Sequence, residues 1–404
     1  MTKELRTEEP LAAKRNILRA GKRDAAENYV LVIHGGAGTM NRDSSTPEKR
    51  AEYRAVLIRA LKAGHEILKL GGEAMDATVA AVTVLEDCPL FNAGKGAVFN
   101  VAGKNELEAS LMLSKPPAAH PAMPTTRRGI SVTLLTRTKN PSHLVRALYL
   151  APSLAPHPML SGATAETIGA EHLGIQTVDP SYFWTGARWR EHRNGLGLPV
   201  EPIEPPRAPD TKSETGSETD SETTEVGSLE SLKFDPIDLM PTGTVGAVAL
   251  DSQGCIAAVT STGGRTNKLV GRVGDTPVMG SGFWAEEWQR KGGVLKRTWD
   301  RWSGKPVQCG VGVSGTGDGD YYIRQNAAST IAHRMQYLDE PVEEAAQHVV
   351  DDLFRDGGMG GIIAVDRQGN VALPLNCDGM YRGVIRADGV SYTAIFFDDQ
   401  LSQL

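Results

Sequence analysis

Pro241-Thr-Gly-Thr-Val-Gly-Ala-Val-Ala-Leu-Asp251 is the stretch on which the reading of this chain turns. A small residue, then Thr244, then an apolar run of strand character is the pattern of a threonine nucleophile held inside a longer precursor. Once freed by a cut on its amino side, such a threonine carries its own base. Its α-amine, with an ordinary pKa of about 7.7–8.0, sits beside its hydroxyl. Taken alone, a Gly-Thr pair before a strand is far more often a plain turn, and the surrounding residues must decide.

Immediately upstream, from about Glu201 to Asp238, the character of the chain changes. Asp210 to Glu225 is strongly acidic and holds no aliphatic or aromatic residue. A segment of that composition cannot bury enough apolar surface to offset the entropy of ordering, so it is expected to be a disordered tether over 201–243. A tether in that place lets the upstream end swing clear after a cut. Downstream, Val245–Leu250 and Cys255–Val259 read as two strands joined by the turn Asp251-Ser-Gln-Gly254.

Farther out, Tyr29–Ile33 reads as a buried strand ending in His34-Gly-Gly-Ala-Gly38. That glycine cluster lacks the Lys-Ser/Thr of a P-loop and the GxGxxG spacing, which disfavours a nucleotide site. His34 reads as a structural histidine. Thr46 as N-cap and Pro47 open a helix with one apolar face from Tyr53 to Leu68, stopped by Gly71-Gly72. A second helix over 74–85 is rich in small residues, with Asp76 as a structural hydrogen-bonding group. Glu86 to Val98 is a turn-rich loop whose carbonyls suit a monovalent cation. Strands are expected at 105–112, 129–136, 361–366 and 370–374, the last two as the final strands, and 310–320 reads as a strand feeding a glycine turn. Helices are expected around 144–150, within 157–170, and at 322–338 and 341–354. Residues 284–306, rich in Trp, Lys, Arg and Gly, read as a surface insertion, and residues 1–28 as a polar extension. Hairpins in place of regular βαβ units argue for antiparallel sheets with helices on their outer faces.

With 404 residues, 40% apolar and 23% charged, the chain has the make-up of a globular protein with a sizeable core. A net charge of −6 without a basic stripe argues against nucleic acid as a partner. Cys88, Cys255, Cys309 and Cys377 are scattered and form no CxxC pair, which points to buried thiols of a cytoplasmic protein. The polar first residues are not those of a signal peptide, and no window is apolar enough to span a membrane.

Eight motifs in series carry a resemblance. They are HGGAG at 34–38, GGEAMDA at 71–77, PLFNAGKGAVF at 89–99, GTVGAVALD at 243–251, TSTGG at 260–264, NKLVGRVGDTP at 267–277, SGTGDGD at 314–320 and NCDGMYRG at 376–383. The chain resembles the plant-type (type III) asparaginases and isoaspartyl aminopeptidases of the N-terminal nucleophile hydrolase superfamily. The resemblance implies an α+β fold, a four-layer αββα sandwich of two antiparallel sheets. Residues 29–200 and 244–404 would be the two halves of one domain, separated by self-cleavage at Gly243–Thr244. It implies that Thr244 attacks the substrate amide, assisted by Thr262, while Arg272 grips the α-carboxylate and Asp275 the α-ammonium. Thr316 and Gly317 would polarise the carbonyl oxygen, and Asn92 would face the site. The Glu86 to Gly96 loop would hold a structural sodium ion, with no catalytic metal or other cofactor. The cut protein would assemble as (αβ)₂ and act on L-asparagine and β-aspartyl dipeptides. Without the resemblance, Arg272 and Asp275 read as a surface salt bridge and Thr262 as a turn residue. Ala109-Ser-Leu-Met-Leu-Ser114 lacks the Asp-Gly that often follows in the family. That departure and the 284–306 segment leave the leaving group open. An aspartylglucosaminidase, a taspase-type endopeptidase and an uncleaved binding protein are the alternatives.

Overall fold

A computed structural model describes residues 28–40, 42, 45–199, 243–290, 302 and 306–403. The upstream half contains β1 (Val30–Gly38), α1 (Pro47–Lys69), α2 (Ala74–Glu86), β2 (Leu107–Leu113), β3 (Gly129–Leu135), α3 (Pro141–Leu150), β4 (Met159–Ser161), α4 (Gly162–His172) and α5 (Gly186–Gly195). The downstream half contains β5 (Val245–Leu250), β6 (Ile256–Thr262), β7 (Phe283–Gln289), β8 (Gln308–Gly317), α6 (Gly319–Gln325), α7 (Ala327–Leu338) and α8 (Val342–Arg355). It closes with β9 (Gly360–Asp366), β10 (Val371–Ala372), β11 (Gly379–Arg386) and β12 (Ser391–Phe396).

The strands form an eight-stranded sheet, β12-β11-β1-β5-β6-β2-β3-β4, and a four-stranded sheet, β10-β9-β8-β7. Every pairing is antiparallel except the short one between β3 and β4. Alternation along the strands accounts for the layering. Leu31, Ile33, Val245, Ala247, Ala257 and Val259 face one core, shared with α1, α2 and α3. Val30, Val32, Val248, Leu250, Ile256 and Ala258 face a second core between the sheets. Val311, Val313, Ile362 and Ala364 make a third core with α7 and α8. Three apolar interfaces require four layers, helix–sheet–sheet–helix. A sheet covered on both faces also explains why β1 and β5 read as nearly unbroken apolar runs.

Local signals set the elements. Thr46 accepts from Lys49 N at 3.2 Å and Pro47 opens α1. Asp251 accepts from Gln253 N and Cys255 N, closing the β5–β6 turn, and its other oxygen accepts from Ala74 N at the start of α2. One carboxylate thus ties the hairpin to the helix above it. The four cysteines are buried. Among the described residues, no helix is long and apolar enough to cross a membrane.

Four expectations need correction. Residues 283–289, the front of the expected surface insertion, are strand β7, in full register with β8 from Phe283–Ser314 to Gln289–Gln308. As an edge strand β7 tolerates Glu286, Glu287 and Trp288, which had masked its strand character. The helix expected over 322–338 is two helices, broken at Asn326 in the left-handed region at φ 48°. The strands expected to be final are followed by β11 and β12, and α5 and β4 had no counterpart in the expectation. The 1–28 extension, the acidic tether and most of 290–305 lie outside the described residues.

Candidate active site

The site forms where strand ends from the two sheets meet. Val245 of β5 lies opposite Ser261 of β6, and Thr262 of β6 lies opposite Glu108 of β2. Thr244, Thr262 and Glu108 therefore stand on three neighbouring strands at one end of the sheet. All three side chains turn toward the second sheet. There they line one pocket with Arg272, Asp275 and Gly317. Thr244 and Thr262 are 8% and 3% exposed.

Backbone packing brings Thr244 to this place. β1 pairs with β11 on one side, and its register breaks between His34 and Ala37, so Gly35-Gly36 bulges. Gly36 has φ +116°, a conformation open to glycine, and its missing Cβ would lie 2.8 Å from Gly243 Cα. A Cβ on Gly243 would in turn overlap Gly36 Cα. Two glycines meeting backbone to backbone seat the Gly243–Thr244 bond.

A buried chain of hydrogen bonds then holds Thr244 from behind. His34 Nδ1 is 2.9 Å from Thr244 O, a carbonyl that can only accept, so Nδ1 carries the proton. Nε2 must then accept from Ser314 Oγ at 2.7 Å, and Ser314 accepts from Thr260 Oγ1 at 2.8 Å. Burial lowers the His34 pKa to about 3, keeping the ring neutral. His34 is the structural histidine the sequence suggested, with a specific task behind the threonine.

Arg272 and Asp275 both reach the pocket, yet they form no ion pair with each other within 4 Å. Arg272 Nη2 donates to Asp320 Oδ1 of α6 at 2.9 Å. A surface salt bridge between 272 and 275, the reading that holds without the family resemblance, is therefore not what the turn builds. Asp275 is 5% exposed, and burial raises its carboxyl to about 7 against the pull of Arg272. Burial also raises the Glu108 carboxyl, opposed by Lys268, Gly274 N and Arg272. Glu108 Oε1 accepts from Gly274 N at 3.0 Å. Lys268, itself buried, donates to Glu106 O at 2.8 Å.

Thr316 and Gly317 end β8. Thr316 Oγ1 accepts from Ala37 N at 3.2 Å, and Tyr322 OH lies 3.1 Å from Thr316 O. Thr316 is fully buried, and only Gly317 of the two lines the pocket. Asn92 departs from its expected site-facing position. Its Nδ2 donates to Gly264 O at 2.7 Å and its Oδ1 accepts from Val98 N at 3.0 Å. It braces the Thr262–Gly264 turn from behind the pocket wall.

Among the described residues, no three His, Cys, Asp or Glu side chains gather as metal ligands. The Glu86 to Gly96 loop offers backbone oxygen instead. A Cβ on Gly94 would overlap Glu86 O, and one on Gly96 would lie 2.6 Å from Pro89 O and overlap Phe91 O. These close approaches of carbonyl oxygen leave no room for a side chain at either position, so both are glycine.

Sequence reading missed Glu108 in the pocket wall, the buried Glu106–Lys268 contact next to it, and Ser314 and Thr260 behind Thr244. The signal for Glu108 was present in the period-two pattern. Leu107, Ala109 and Leu111 alternate with Glu106, Glu108 and Ser110, which places two acids inward on a buried strand.

Comparison with known proteins identifies the family. The family model described as "Asparaginase" matches residues 27–294 and 308–395. The chain is 35% identical over 369 residues to the isoaspartyl peptidase of Escherichia coli K12, covering 91% of this chain and 96% of that one. It is 34% identical over 368 residues to the isoaspartyl peptidase of Salmonella typhimurium, covering 91% and 98%. It is 31% identical over 374 residues to the isoaspartyl peptidase/L-asparaginase of Bos taurus, covering 92% and 97%. With the sandwich fold and Thr244 at the head of β5, the chain belongs to the asparaginase family of N-terminal nucleophile hydrolases.

Proposed function

We propose that this protein cuts its own Gly243–Thr244 bond and then hydrolyses L-asparagine and β-aspartyl dipeptides, releasing L-aspartate. The supporting observation is a single buried pocket in which Thr244 and Thr262 stand side by side on paired strands, facing Arg272 and Asp275. The names of the relatives support the same substrates.

In maturation, Thr244 Oγ attacks the Gly243 carbonyl carbon, its proton passing to the departing Thr244 nitrogen as the C–N bond breaks. Water then hydrolyses the ester, leaving a Gly243 carboxylate and a free Thr244 α-amine. In turnover that amine takes the Thr244 hydroxyl proton while Oγ attacks the side-chain carbonyl. The proton goes to the leaving ammonia or amine, and water, deprotonated by the same amine, releases aspartate. Thr262 hydrogen-bonds the nucleophile. Gly317 N–H and the Thr316 hydroxyl stabilise the oxyanion, where one donor contributes about 10²–10³-fold in rate. Arg272 would exchange Asp320 for the substrate α-carboxylate, and Asp275 would take the α-ammonium.

The uncut chain supports this order of events. The free space in the pocket is about 10 Å³, room for roughly one water, with Gly243 forming part of its wall. Asparagine fits only after the Gly243 end withdraws. Four buried, widely scattered cysteines with no CxxC pair support a reducing compartment, the cytoplasm. Family membership supports an (αβ)₂ assembly, and the Glu86 to Gly96 carbonyls would hold a sodium ion with a structural role.

Denaturing electrophoresis provides the test. Purified protein should split into residues 1–243 and 244–404, and Thr244→Ala should stay whole. A wild-type chain that never splits would sink the proposal. Assaying asparagine, a β-aspartyl dipeptide and an N-glycosylated asparagine side by side then assigns the leaving group. Turnover of the glycosylated substrate alone would refute the substrate assignment.

A further inference from the structure

Among the described residues, two buried carboxylate oxygens lack a hydrogen-bond partner, Glu108 Oε2 and Asp275 Oδ2. Both side chains line the pocket of Thr244 and Thr262, and they are 0% and 5% exposed. Buried acceptors are nearly always paired. Two unpaired ones in a single cavity mark where the donors of a ligand belong.

The neighbouring cations do not fill that need. Arg272 is drawn to Asp320 at 2.9 Å, and Lys268 donates to Glu106 O at 2.8 Å. Neither forms an ion pair with Glu108 within 4 Å. Glycines keep the space before both oxygens open. A Cβ on Gly274 would lie 3.3 Å from Glu108 Oε2 and 2.9 Å from Arg272 Nη1, and one on Gly282 would lie 2.9 Å from Asp275 Oδ2. Glu108 cannot swing away freely, because its other oxygen accepts from Gly274 N.

We propose that Glu108 is a second carboxylate contact for the substrate α-ammonium, forming with Asp275 a two-sided cradle beside Arg272. An ammonium has three donors and no acceptor, which matches two unpaired acceptors. The ligand class this selects is a free α-amino acid or an aminoacyl end. A succinyl analogue offers the cradle no donor. The inference rests on the proposed roles of Arg272 and Asp275, and it adds Glu108 as a residue that determines specificity.

The test compares L-aspartate with succinate, which differ by the α-ammonium alone, by calorimetry on the cut protein. Glu108→Gln should weaken L-aspartate by about 10- to 100-fold, the range of a charge-assisted hydrogen bond, and leave succinate unchanged. Asp275→Asn should do likewise. If Glu108→Gln weakens both ligands equally, or neither, the cradle is overturned. If Asp275→Asn leaves the ratio of the two affinities unchanged, the Asp275 assignment falls separately, whatever Glu108 does. Should the amide variant fail to mature, Glu108→Asp withdraws the acceptor by one methylene and keeps the charge. An unchanged ratio in that variant would equally overturn the proposal.

Discussion

Replacing Asp275 by asparagine should stabilise the protein at alkaline pH while weakening its hold on substrate. Asp275 is held in a dry pocket, and burial raises its carboxyl from the ordinary 3.8 to about 7. A group whose folded-state value is raised favours folding least when it is ionised. The penalty is absent below pH 3.8, grows as pH rises between the two values, and is complete above pH 7. At about 1.4 kcal/mol for each tenfold difference, that gap amounts to about 4 kcal/mol at pH 8 and less than half of that at pH 5. Asparagine has the same shape and no charge, so it recovers most of this. The comparison belongs in a Thr244→Ala background, where both chains stay in one piece. Thermal unfolding of Asp275→Asn should show a Tm rise on the order of 5 °C at pH 8 and a clearly smaller one at pH 5. No rise at pH 8, or equal rises at both pH values, would show that the Asp275 carboxylate carries no burial penalty.

Gly243→Ala should slow self-cleavage at least ~10-fold, because its Cβ would overlap Gly36 Cα and push the scissile carbonyl away from Thr244 Oγ. The split on denaturing gels over time measures this, and an unchanged rate would show that the glycine contact does not seat the bond. Asn92→Ala removes one buried and one part-buried hydrogen bond behind the Thr262 turn and should cost about 2 kcal/mol, with kcat falling more than KM rises. A rise in KM alone would return Asn92 to the substrate side. Deleting residues 210–230 should leave turnover of the cut protein intact, since Asp210 to Glu225, the bulk of that stretch, holds no aliphatic or aromatic residue with which to pack. A large loss would show that it contributes to the site.

Elements whose signals are local were legible in the sequence. The β5–β6 hairpin announced itself through two apolar runs and Asp251, and α1 through Thr46 and Pro47, all of which do what their chemistry suggests. Elements that depend on partners far along the chain were not. β7 carries Glu286, Glu287 and Trp288 and becomes a strand because β8 offers it a ladder. α5 has almost no apolar face, and it is anchored instead by Arg188 donating to Gly96 O at 2.8 Å. At the site, Thr244, Thr262, Arg272, Asp275 and Gly317 were named in advance and meet in one pocket. Glu108 was not, because its importance comes from lying opposite Thr262 across a strand pair that no motif records. Asn92 had the right neighbourhood, but its hydrogen bonds turn it away from the cavity.

The strand order of the large sheet has a consequence for a chain cut after residue 243. β12 and β11 come from downstream, β1 from upstream, β5 and β6 from downstream, and β2, β3 and β4 from upstream. The two pieces are interleaved like the fingers of clasped hands, and separating them means tearing three ladders, β11–β1, β1–β5 and β6–β2. The cut protein should therefore survive dilution as one particle. Once melted, though, it must reassemble from two molecules, so recovery after heating should depend on concentration in a way that the uncut chain does not share.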